Sequence, residues 1–106
     1  MRLYRILKDE RGLVIEFASQ WERWIRDGVE PKGGSPSKMR NERAVSTLIS
    51  MEKARDYAQE YGLGDYAGEL EVPDFVPKRP NDNGHVELDC TTSTELKRYL
   101  QTIHRL

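Results

Sequence analysis

The stretch AVSTLISMEKARDYAQEY, residues 44–61, changes periodicity partway along. Ala44–Ile49 is apolar and rich in β-branched residues, and it reads as a strand. Ser50 then stands where a helix needs an N-cap. Met51, Ala54, Ala58 and Tyr61 recur at helical spacing as a buried stripe, and Gly62 is placed to stop the helix. A strand that runs directly into a capped helix puts both kinds of element in one core.

The same alternation extends outward in both directions. RLYRIL, residues 2–7, reads as a strand with Leu3, Arg5 and Leu7 on one face and Tyr4 and Ile6 on the other. Apolar residues on both faces predict an interior strand, with Arg5 lodged between two leucines. Leu13–Phe17 follows the Arg11-Gly12 turn signal as a short strand or as the lead-in to a helix. That helix starts with capping-box spacing between Ser19 and Glu22 and ends at Gly28. Trp21, Trp24 and Ile25 share its face and read as a core stripe, with a ligand platform as the alternative. Residues 30–43, EPKGGSPSKMRNER, read as a basic Gly/Pro loop, solvated or binding an anion or a partner. Downstream, Ala67–Val72 and His85–Cys90 read as strands separated by a proline-rich extended stretch. A Thr92–Glu95 capping box then predicts a C-terminal helix carrying Leu96, Tyr99, Leu100 and Ile103. The pattern has no βαβ spacing and no repeat. It predicts a single α+β domain over residues 1–106, with a mixed or antiparallel sheet and three main helices.

Composition narrows the function. The 106 residues carry 17 Lys and Arg against 18 Asp and Glu, a net charge of −1, which disfavours general binding to nucleic acid or anionic membranes. No apolar run approaches the roughly 20 residues of a membrane span, and the N-terminus turns charged before a signal core could form. Cys90 is the single cysteine and has no internal disulfide partner, so a reducing cytoplasm is the expected setting. His85, His104 and Cys90 do not make a zinc cluster, and no metal is expected. The chain also lacks GxSxG, HExxH, GxxxxGK[ST] and GxGxxG.

Three separated elements remain that can carry chemistry: Leu3-Tyr4-Arg5 on the first strand, Val45-Ser46-Thr47 just before the capped helix, and Glu87 with His85 two residues before it. In this order the chain resembles the ADP-ribosyltransferase family in its Arg–Ser–Glu, cholera-toxin-like branch. Those proteins open with a strand ending in Tyr-Arg, carry Ser-Thr-x on a strand before a helix, and finish with a glutamate strand. VSTLIS is the most specific of the matching segments. The resemblance implies an ADP-ribosyltransferase-like fold, NAD as substrate, and transfer of ADP-ribose to a macromolecular acceptor. Glu87 and Ser46 would then be catalytic, with Arg5, Ser46 and Thr47 binding NAD. Glu87 would stabilise the oxocarbenium-like charge that develops as nicotinamide leaves, Arg5 would hold a phosphate or ribose, and Ser46 would position Arg5 or Glu87. Arginine-modifying members have Glu or Gln where this chain has His85. The alternative is a non-catalytic protein-binding module, a small inhibitor or regulatory protein of mobile-element type. It would present the 30–43 loop or the tryptophan helix to a protein partner. Plain structural roles also remain open: Arg5 snorkelling or ion-paired, Ser46 and Thr47 as ordinary strand residues, and a solvated Glu87.

Overall fold

In the computed structural model, which describes residues 1–89 and 91–106, the first strand is β1 (Arg2–Leu7), and it lies in the interior of the sheet. A single 3₁₀ turn at Val14–Phe17 leads into α1 (Gln20–Arg26), with the Ser19 hydroxyl accepting the Glu22 N–H at 3.1 Å. α2 (Pro36–Arg43), β2 (Val45–Leu48) and α3 (Met51–Tyr61) follow. β3 (Tyr66–Glu71), β4 (Lys78–Pro80), β5 (His85–Leu88), α4 (Ser93–Arg98) and β6 (Leu100–Arg105) complete the order. The sheet has six strands in the order β4-β5-β2-β1-β3-β6, and every registered pair is antiparallel. The molecule is therefore α+β. Among the described residues, no helix is long and apolar enough to cross a membrane.

Alternation on β1 feeds two cores, one on each face of the sheet. Leu3 and Leu7 join Phe17, Val45, Leu70, Val72, Val76, Val86, Leu88 and Leu96 beneath the 3₁₀ turn and α4. Tyr4 and Ile6 pack on the other face against Leu48, Ala54 and Ala67, where α3 covers the sheet. Small residues let α3 approach closely: Ala54 and Ala58 are buried, while Tyr61, expected in its stripe, is 58% exposed. Gly62 ends the helix with φ 62°, a left-handed conformation that costs a glycine little. Two residues later the chain passes so close to β1 that a Cβ on Gly64 would collide with the Leu7 carbonyl.

Several expectations need correction. Residues 30–43 are not all loop, because α2 occupies Pro36–Arg43. Ser35 caps it by accepting the Lys38 N–H, and Pro36 sits in its first turn, where a missing N–H costs nothing. The helix therefore brings the α-helices to four among the described residues, rather than three. The C-terminal helix stops at Arg98, and Leu100–Arg105 pairs with β3 instead. The i, i+3 pair Leu100 and Ile103 looked helical, but Glu69 pairs with Thr102 and Leu70 with Leu100, leaving Gln101 as an extra residue. That bulge lets residues three apart meet the same core. β4 is an edge strand in the proline-rich stretch, where Pro80 costs no interior ladder bond. Lastly, α1 buries none of its residues fully, and neither tryptophan belongs to a core. The strand expected over His85–Cys90 ends at Leu88, and Cys90 itself lies outside the described residues.

The position of Trp24 has a measurable consequence. A buried tryptophan truncated to alanine costs about 3–5 kcal/mol. Half-buried beside the Val29–Gly33 segment, Trp24 has less to lose. Trp24→Ala is expected to lower unfolding free energy by under about 2 kcal/mol in urea titration. A loss of 3 or more would return it to the core.

Candidate functional site

β5, β2 and β1 are consecutive neighbours in the sheet, so the three elements singled out above come together. Ser46 is registered directly opposite Glu87 on β5, and Leu48 opposite His85. Directly opposed residues share a face, so Ser46, Leu48, His85 and Glu87 all project from the side that α3 partly covers. β1 and β2 register at a single pair, Tyr4 with Leu48, whereas β1 and β3 register at six. Arg5 reaches across to β2: its Nη1 donates to the Ser46 carbonyl at 2.8 Å, and its Nε donates to the Glu16 carbonyl at 2.9 Å. The arginine thereby ties the 3₁₀ turn and β2 to β1. Glu16 strengthens the strap, since its carboxylate accepts the backbone N–H groups of Lys8 and Asp9.

A cleft of about 480 Å³ opens here, within the size range of small-molecule sites. Arg5, Arg23, Ser46, Tyr57 and His85 line it, with Glu16 and Lys8 at one end. His85 is buried and held from two sides. Its Nδ1 lies 2.8 Å from the Asn83 side-chain oxygen, and Tyr57 meets its ring edge-on with centroids 4.4 Å apart. Burial is the main cause of a lowered Arg5 pKa, and the like charge of Arg23 adds to it; together they bring it down to about 10, while Glu87 and Glu16 oppose the shift. Arg5 is still fully charged at neutral pH.

The site residues read from the sequence separate into three groups. Arg5 and Ser46 line the cleft. Glu87 stands on the same sheet face, half-buried, but outside the lining, and His85 occupies the wall instead. Thr47 is not in position to bind a cofactor. It is 1% exposed on the opposite face, and its hydroxyl donates to the Val86 carbonyl at 2.7 Å. Strand alternation separates it from Ser46, so it supports the strand pairing from within the core. The sequence reading missed Arg23 and Tyr57. A charged residue on a helix with exposed turns looks solvated, and only the packing of α1 over the cleft shows otherwise.

A larger hollow of about 850 Å³ lies elsewhere, between α1, α2 and the segment after β5. It is mostly apolar, with Trp21, Ile25, Pro36 and Met39 on its walls. Arg43 stacks 4.3 Å over the Trp21 ring, and Ile25 is 60% exposed. Its acids have partners already: Asp89 receives Arg79 through two hydrogen bonds of 2.7 and 3.0 Å, and Glu22 accepts the N–H and hydroxyl of Ser93. The hollow has the volume, but the smaller cleft holds the groups able to act on a ligand. Set against known protein families, curated proteins and solved structures, the chain matches none.

Proposed function

We propose that the protein is an ADP-ribosyltransferase-like domain that binds NAD in the 480 Å³ cleft and transfers ADP-ribose to a macromolecular acceptor in a cytoplasmic setting. The observation that carries this reading is the placement of Arg5, Ser46 and Glu87 on three adjacent strands, with Ser46 opposite Glu87 and Arg5 bonded to the Ser46 carbonyl. In such a reaction the bond between nicotinamide and ribose C1′ breaks, and nicotinamide leaves with the electron pair. An acceptor nucleophile then bonds to C1′ and gives up its proton. In this reading Glu87 opposes the positive charge that develops on the ribose. Ser46, registered directly across from it, holds that carboxylate or a ribose hydroxyl once NAD is bound. With His85 in the wall, the acceptor's approach is shaped by an imidazole and a tyrosine ring rather than by a second carboxylate.

Calorimetry with NAD tests the binding half of this reading. Heat of binding at micromolar to millimolar NAD is the expected result, and none at millimolar NAD would defeat it.

One observation favours a second reading, that of a protein-binding module without turnover. The hollow between α1 and α2 is lined by the half-buried Trp21 and the exposed Ile25 beside Arg40 and Arg43, and tryptophan and arginine are common in interface hot spots. Nucleic acid is not favoured as a partner in either reading, because the chain is nearly neutral overall, and no membrane partner is proposed.

A further inference from the structure

The cleft holds more positive charge than its own carboxylate answers. Arg5, Arg23 and Lys8 line it, and Glu16 is the single carboxylate among the described lining residues. Both Glu16 oxygens are already engaged by the backbone N–H groups of Lys8 and Asp9. Arg5 is also committed, with Nε and Nη1 held by the carbonyls of Glu16 and Ser46. Arg23 differs from both. Among the described residues its side chain has no hydrogen-bond or ion-pair partner, and its Nε is buried without one. A guanidinium that lines the same cleft as a second arginine, with donors unanswered, is an arrangement that a bound anion relieves. Arg23 depresses the Arg5 pKa, in keeping with two like charges held close together.

We infer that Arg23 is the phosphate-binding residue of the cleft, taking the diphosphate of a nucleotide on its free donors, while Arg5 is a positioning residue that keeps β1, β2 and the 3₁₀ turn in place. Three cations along one cleft suit a ligand with more than one negative charge, and a planar fork of N–H donors matches two phosphate oxygens. The identification of the ligand as a nucleotide rests on the proposed NAD reading. The assignment of the anion site to Arg23 does not.

The test is calorimetry of the full chain at low salt with pyrophosphate and, separately, ADP-ribose. Wild type is expected to bind both, and Arg23→Gln to weaken both by about tenfold or more, the size expected for a lost charged hydrogen bond. Its melting temperature should match wild type, since the Arg23 side chain makes no hydrogen bond or ion pair among the described residues, and its backbone bonds within α1 are kept. Arg23→Lys keeps the charge but loses the fork, and it should fall between the two; it also answers the question should the glutamine variant fail to fold. Pyrophosphate binding that is absent in wild type, or unchanged in a folded Arg23 variant, overturns the inference. Pyrophosphate held through Arg23 without any nicotinamide release would leave the anion site standing and remove the transferase. NAD bound with no dependence on Arg23 would do the reverse.

Discussion

Arg5→Ala is expected to lower unfolding free energy by about 3–6 kcal/mol, the sum of two hydrogen bonds from a charged donor at roughly 1.5–3 kcal/mol each. For a domain whose total stability is about 5–15 kcal/mol, that approaches unfolding. The reason lies in what the guanidinium holds. Its Nε and Nη1 are donors to the Glu16 and Ser46 carbonyls, and the second of these bonds crosses the β1–β2 junction, where the ladder registers only Tyr4 with Leu48. Alanine leaves both carbonyls without that donor and uncouples the 3₁₀ turn from the sheet. Arg5→Lys keeps the charge but cannot bridge two carbonyls with one planar fork, so it should recover only part of the loss. Urea titration of the three chains measures this directly. An Arg5→Ala protein within 0.5 kcal/mol of wild type would show that the arginine is a surface group.

Glu87→Gln is expected to leave folding and NAD affinity almost unchanged while slowing nicotinamide release by about 10²-fold, the scale of a lost electrostatic stabiliser. A charge that acts on a developing cation matters mainly in the transition state, so the ground-state complex barely registers its removal. Among the described residues, the Glu87 side chain makes no hydrogen bond or ion pair, while its backbone stays paired between β2 and β4, which is why the fold should tolerate the amide. Release of nicotinamide from labelled NAD, with and without candidate acceptors, measures it. Equal release by the two proteins would remove Glu87 from the chemistry. Loss of partner association without turnover in either protein would favour the binding-module reading.

Most of the elements were legible in the residues. Arg2–Leu7, Val45–Leu48, Met51–Tyr61 and His85–Leu88 all form as their periodicity and caps predict, because each carries a local signal: alternation, a serine N-cap or a terminal glycine. The errors fall where local pattern is ambiguous. Leu100 and Ile103 suit a helix or a bulged strand equally well, and the free edge of β3 decided between them. Ser35-Pro36 is a helix start that the neighbouring glycines disguised as loop. Trp21 and Trp24 look like core from their apolar surface alone, yet the alanines of α3 and the leucines of β1 fill the two cores without them.

For the site, the residues alone separated Ser46 from Thr47 only by parity. By itself the sequence determined the alternation of faces along the unbulged strands β1, β2 and β5, where the side-chain period is two; the bulge that breaks that period in β6 lay outside its reach. Strand order was decided only by the tertiary structure. Placing β2 between β5 and β1 is what sets Ser46 opposite Glu87 and brings the Arg5 guanidinium to the Ser46 carbonyl. The same packing lets α1 line the cleft and leaves the Arg23 side chain in one lining with Arg5, without a partner among the described residues, a juxtaposition of residues 18 positions apart that no local periodicity encodes.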